Sequence, residues 1–153
     1  NPPAPITAVA PRSRTFAGAA TPQRVAIDGA AQGERFLLRI DGIPVALTGK
    51  SFKYFVRLAA GRFLSEDGWV YKDDIEQGFN QARYLYRMRR EIEAGLPGYR
   101  WPVYENNRLG YYRLGLAAAA VEVNLEALAA SDDFEIAETA QALAARAEHR
   151  RSA

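Results

Sequence analysis

Arg83, Arg87 and Arg90 recur at i, i+4 and i+7 within Gln81-Ala-Arg-Tyr-Leu-Tyr-Arg-Met-Arg-Arg-Glu-Ile-Glu93. A helix over 81–93 would carry them on one face. Ala82, Leu85, Met88 and Ile92 fall on another face and predict an apolar stripe. Such a helix can be held by a core while it offers guanidinium groups to a polyanion. An arginine stripe taken alone is more often a solvated surface, so its neighbours decide the reading.

The other candidates for chemistry fall away quickly. The chain has no cysteine, which removes disulfides, thiolate catalysis and cysteine-based metal sites. Its single histidine, His149, stands near the end. Asp73-Asp74 and Asp132-Asp133 are paired carboxylates, but each pair sits at a predicted helix start, where capping is the ordinary role. Thr48-Gly-Lys-Ser51 mimics the end of a phosphate-binding loop. It fails because the first glycine of that motif would fall at Pro44. No enzymatic activity, metal or cofactor is expected.

The 153 residues, 48% hydrophobic and 25% charged, describe a globular chain with a core. No apolar run reaches the length of a membrane span and no signal peptide is visible. The chain begins with Asn1 and its only methionine is Met88, so it is expected to be a piece or a trimmed form of a longer protein. Charge is uneven along it. Residues 35–114 hold fourteen Lys and Arg against nine acids, whereas residues 115–153 hold three against seven. The middle is therefore the part that would meet an anionic partner.

Residues 1–23, rich in Pro and Ala, read as a flexible tail or linker. Val25-Ala-Ile27 is a short strand. Residues 35–40 and 43–47 read as a hairpin around Asp41-Gly42, a strong two-residue turn signal. Pro44 requires an edge strand or a strand start. Thr48 is placed to cap a helix that ends near Ala60, with Gly61 as its stop. Phe52, Phe55, Val56 and Ala59 face its core side, and Lys50, Lys53 and Arg57 face outward. Trp69-Val-Tyr71 is extended, and Lys72-Asp73-Asp74 opens a short helix broken by Gly78 and Asn80. The arginine-striped helix follows, and residues 99–104 and 110–114 then form a second hairpin. Trp69 and Trp101 are expected to fill the small core near this hairpin. Arg89 is expected to pair with Glu93 at i, i+4. Residues 116–130 and 133–150 read as two alanine-rich helices. Val121, Leu125 and Leu128 stripe the first, and Ile136, Ala140, Leu143 and Ala147 the second. Their apolar faces are expected either to form a homodimer interface or to pack back within the chain.

Three segments carry a family resemblance: Val45-Ala-Leu-Thr-Gly-Lys-Ser-Phe52 at the first helix, Tyr84-Leu-Tyr-Arg-Met-Arg-Arg-Glu-Ile92, and Asn107-Arg-Leu-Gly-Tyr-Tyr-Arg-Leu114. In this order and spacing, residues 35–114 resemble the effector domain of OmpR/PhoB-type bacterial response regulators. No receiver domain is expected within this sequence, since only 34 residues precede the hairpin. Ser51 stands where the family usually has Glu, which removes half of the capping box. Glu91 stands where Lys is usual. The segment 76–80 is short where many members carry a longer loop that meets RNA polymerase.

The resemblance implies an α+β fold, a winged helix-turn-helix. Its parts are an N-terminal β-hairpin, three helices and a C-terminal β-hairpin wing; the two C-terminal helices that follow are read from the residues and lie outside the family pattern. The expected division is tail 1–23, DNA-binding domain 24–114 and helical extension 115–153. The implied function is sequence-specific binding of double-stranded DNA by a cytoplasmic, nucleoid-associated transcription regulator, with RNA polymerase or another regulator as a further partner. The alternative is a winged helix used for protein interaction or assembly. Helix 81–93 would enter the major groove and the hairpin tip 105–110 would lie at the minor groove. Gln81, Arg83, Tyr86, Arg87 and Arg90 are the candidate groove contacts, with Arg108 and Asn107 at the tip. Lys50, Lys53 and Lys72 are the candidate phosphate contacts.

Overall fold

Asp41 and Gly42 both take positive φ, 52° and 81°, and close the predicted hairpin. In a computed structural model, which describes residues 20–152, this hairpin belongs to a mixed four-stranded sheet. Strands β1 (Val25–Gln32), β2 (Arg35–Ile40) and β3 (Ile43–Thr48) run antiparallel in sequence. Leu38 pairs across from Val45 and Phe36 from Leu47, and these side chains face the core. Pro44 lies on the edge strand, where its missing N–H costs no ladder bond. The first 19 residues of the expected tail lie outside the described residues, but the fold starts earlier than expected. Pro22 is buried, and the backbone N–H groups of Gln23 and Arg24 donate to the Asp41 carboxylate at 2.8 and 2.9 Å.

Helix α1 (Gly49–Leu64) is the centre of the molecule. It is buried on nearly every side: Phe52, Tyr54, Phe55, Val56, Leu58 and Ala59 are all at most 1% exposed. The sheet covers one side, and helices from both later parts of the chain cover others. Gly61 does not stop this helix. It sits inside it because a Cβ there would lie 2.3 Å from Val70 Cγ2 and 3.1 Å from the Gly68 carbonyl. Gly61→Ala should therefore be destabilising by about 1–2 kcal/mol. The helix-propensity gain of about 1 kcal/mol is outweighed by overpacking. Chemical denaturation of Gly61→Ala, and of Gly61→Ala/Val70→Ala, checks this: the second change should recover part of the loss.

After α1, β4 (Val70–Tyr71) leads into the single turn α2 (Lys72–Ile75), and α3 (Gln81–Gly95) follows. Strands β5 (Tyr104–Asn106) and β6 (Tyr111–Leu114) form the second hairpin, and β4 joins it as a three-stranded antiparallel sheet in the order β4-β6-β5. The strand expected from residue 99 begins only at Tyr104. Ahead of it, Val103 is held at φ 71° and Trp101 is buried, its Nε1 donating to the Gly115 carbonyl at 3.2 Å.

The C-terminal part departs most from expectation. The first of the two predicted helices is instead a 3-10 turn (Ala118–Ala120), a strand β7 (Val121–Val123) and a short α4 (Leu125–Ala129). β7 runs parallel to β1, with Val121 opposite Val25 and Val123 opposite Ile27. Two β-branched residues bracketing one polar residue suit a strand, and the open edge of β1 supplies the partner. Helix α5 (Phe134–Ser152) is the second predicted helix, with the Asp133 carboxylate capping it through the N–H groups of Glu135 and Ile136. Ile136, Ala140 and Leu143 are buried as α5 packs on α1 and α4. The stripe that could have faced a second copy is thus used inside the chain, and residues 115–152 are integral to the fold.

Candidate nucleic-acid interface

Helix α3 is fixed from below by Leu85, Met88 and Ile92, each at most 1% exposed. Ala82, expected in this stripe, is exposed. Gln81 takes the buried place at the helix start, only 3% exposed. Its side-chain amide donates to the carbonyls of Glu76 (2.7 Å) and Gly78 (2.9 Å) and to the Asp73 carboxylate (3.2 Å). Gln81 is therefore removed from the list of groove contacts: it locks the turn between α2 and α3. Its neighbour Asn80 is exposed, and its side chain makes no hydrogen bond to cap α3.

The opposite side of α3 carries the arginines as expected. Arg83 is exposed and makes no ion pair among the described residues. Arg87 contacts Glu91 at 3.2 Å, and Arg90 contacts Glu93 at 3.5 Å. Arg89 pairs with Glu93 at 3.1 Å, as its spacing predicted. Arg87 and Arg90 remain 52% and 65% exposed; the Arg90 pair is exposed on both sides and worth less than about 0.5 kcal/mol, whereas Arg87 meets a Glu91 that is only 16% exposed. Arg90 is therefore the more readily released of the two. Tyr86 is also exposed.

Glu91 explains why an acid stands in this helix. Its carboxylate accepts the Thr48 N–H (3.0 Å), the Thr48 hydroxyl (2.9 Å) and the Ser51 hydroxyl (2.9 Å). Thr48 is the N-cap of α1 and Ser51 is its third residue. The capping-box carboxylate missing at Ser51 is thus supplied from α3, forty residues later in the chain. Burial works to raise the Glu91 pKa. The hydrogen bonds from Thr48 and Ser51 and the charge of Arg87 outweigh it and hold the carboxyl below its ordinary value.

Two of the three expected phosphate contacts are withdrawn for a similar reason. Lys50 and Lys53 both donate to Glu76 Oε2, at 2.6 and 2.9 Å, and the Tyr54 hydroxyl donates to Oε1 at 2.7 Å. Lys50 also lies over the Tyr84 ring. Lys53 is buried because α5 covers that side of α1 and brings Glu135 to 3.4 Å. Arg57, read as outward, is half-buried between the Asp74 carbonyl and Glu135. The signal for this cluster was the outward row Lys50, Lys53, Arg57, which needed acids from elsewhere if that face was to be covered.

Lys72 remains available. Its side chain has no ion pair among the described residues, and its backbone N–H donates to the Gly110 carbonyl at 2.8 Å, which ties α2 to the hairpin. The rings of Tyr71 and Tyr111 pack at 5.1 Å across the same junction. At the hairpin tip, Asn106 and Asn107 use their side-chain carbonyls to build the turn, accepting from Arg108, Leu109 and Tyr111 N–H groups. Asn107 is thus chiefly a turn-former. Arg108, at φ 65°, is exposed and has no ion-pair partner among the described residues. Lower on β6, Arg113 pairs with Glu105 at 2.9 Å and lies over the Trp69 ring at 4.4 Å.

Among the described residues no cluster of His, Cys, Asp or Glu could hold a metal ion, and no helix is long and apolar enough to cross a membrane. Comparison with protein-family models, curated proteins and solved structures finds no match.

Proposed function

We propose that residues 24–114 act as a winged helix-turn-helix that binds double-stranded DNA, in a bacterial transcription regulator. α2 and α3 are the helix-turn-helix and β5–β6 is the wing. The observation that carries this reading is the division of α3. One side is sunk in the core through Leu85, Met88 and Ile92, while Arg83, Tyr86, Arg87 and Arg90 project from the other. A basic hairpin tip with Arg108 follows in the chain. Arg83 and Arg87 are the candidates for bidentate contacts to guanine O6 and N7. Arg90 and Lys72 serve the phosphates, and Arg108 serves the minor groove. Contact with RNA polymerase or another regulator is a secondary part of the proposal.

A reading as a protein-assembly module draws on a different observation. Arg87, Arg89 and Arg90 all have acidic neighbours on α3, which dilutes its positive field. Fluorescence anisotropy with random duplexes at several salt concentrations separates the two. The two phosphate contacts, Lys72 and Arg90, predict a slope of log K against log salt of about −2, steepening towards about −4 to −5 as Arg83, Arg87 and Arg108 also neutralise phosphates beside the bases they meet. Arg83→Ala/Arg87→Ala should weaken binding by at least about tenfold. A flat salt dependence, with affinity indifferent to both changes, would return the assembly reading.

A further inference from the structure

Phe79 is 100% exposed, the largest departure from ordinary burial among the described residues. Its exposure is not the looseness of a free loop. The Gln81 amide holds the carbonyls of Glu76 and Gly78 just ahead of it, and the Asn80 carbonyl accepts the Tyr84 N–H just after it. An apolar residue immediately before an N-cap ordinarily packs on the fourth helical residue, here Tyr84. That partner is taken: Tyr84 packs edge-on against Tyr54 and lies beneath Lys50. The turn therefore presents a whole phenyl ring to solvent from a fixed backbone. Asn80 follows with a side chain that caps nothing, and Arg83 is one turn further along the same helix end.

We propose that Phe79 and Asn80 read A·T pairs, Phe79 seating a thymine 5-methyl group and Asn80 meeting an adenine edge. This deepens the DNA-binding reading and rests on it. In the major groove, thymine alone displays a methyl group. Adenine offers N6 and N7 to a bidentate amide. The entry of a recognition helix is the part that reaches base edges first. The amide that the sequence offered as a groove contact was Gln81; the fold buries that one and exposes its neighbour. Recognition of guanine stays with Arg83.

The test uses the whole chain and a duplex selected from a random pool. Replacing thymine by deoxyuridine, one position at a time, removes only the methyl group. For wild type, one position should lose about fourfold in affinity, the factor set by burying one methyl group. Phe79→Ala should bind more weakly and lose that sensitivity, while Asn80→Ala should lose preference for adenine at an adjacent position. Equal weakening of Phe79→Ala on thymine and uracil duplexes would assign Phe79 to the backbone and overturn the proposal. So would unchanged binding by both variants, since Phe79 would then serve another partner. Failure of wild type to bind any duplex would instead sink the DNA-binding reading itself, which keeps the two failures apart.

Discussion

Glu76→Gln is expected to lower stability at pH 7 by about 3 kcal/mol and to remove much of the acid sensitivity of the fold. Glu76 follows α2, with its side chain 20% exposed, and receives Lys50, Lys53 and the Tyr54 hydroxyl. Burial pushes its pKa upward, but the hydrogen bonds from Lys50, Tyr54 and Lys53 and the Lys53 charge prevail and hold it at about 2, against an ordinary 4.5. The folded chain therefore binds this proton more weakly than the unfolded chain. The resulting stability, about 3 kcal/mol, is complete above about pH 5 and is withdrawn as pH falls towards 2. An amide keeps the shape and can still accept from Tyr54, but it leaves two ammonium groups without their shared counter-charge. Lys53 is only 10% exposed, and its remaining acid, Glu135, is at 3.4 Å. Removing one member of a buried ion pair costs about 3–5 kcal/mol, which agrees with the titration argument.

Urea unfolding at pH 7 and at pH 3 checks this. The gap between wild type and Glu76→Gln should be wide at the first pH and should narrow at the second. Equal gaps would mean that shape, not charge, sets the cost. The cluster also has a mechanical consequence. Glu76 borders the turn that Gln81 pins, and Lys53 and Arg57 link α1 to α5 through Glu135. Loosening it should disturb the seat of α3 from the side remote from the arginines.

The local signals were the ones that sequence could carry. Asp41-Gly42 defines its turn because few residues tolerate two successive positive φ values. The α3 stripe at Leu85, Met88 and Ile92 follows from helical period alone. What escaped were choices made by distant segments. Val121-Glu-Val123 became a strand because β1 had a free edge, although the alanine run before it favours helix. Lys53 turned inward because α5 arrived over it. Gln81 turned inward although the helix start was read correctly, because the Glu76 and Gly78 carbonyls and the Asp73 carboxylate collect its amide. Phe79 carried no readable signal, since one apolar residue beside a break fits a staple as well as an exposed contact. The assignment of Glu91 was unreadable in principle, because its partners Thr48 and Ser51 lie in another element.

Glu91→Ala is expected to cost about 2–3 kcal/mol. The Thr48 N–H is then left without its acceptor, and the start of α1 loses a negative charge where the helix dipole favours one. A lost N-cap interaction is worth about 1 kcal/mol, and a hydrogen bond to a charged group about 1.5–3 kcal/mol. These terms overlap, so their sum is an upper bound. The loss of the Arg87 pair, exposed only on the arginine side, is part of the same total. Because the Glu91 carboxyl is held below its ordinary value, its contribution is also present at neutral pH and disappears in acid. Restoring the carboxylate from within α1 is the decisive comparison. Ser51→Glu should be unfavourable alone, since Ser51 is 1% exposed and would face Glu91. Combined with Glu91→Ala, it should recover more than half of the lost stability, because the new carboxylate can reach the Thr48 N–H in the ordinary capping box. Thermal and urea unfolding of the four proteins gives the coupling directly. If the two changes add without recovery, Glu91 holds α3 to α1 by packing, and the capping explanation fails. If they recover, an acid in an arginine-bearing helix is explained by the helix beneath it: Glu91 faces the start of α1, and the arginines keep the outer surface.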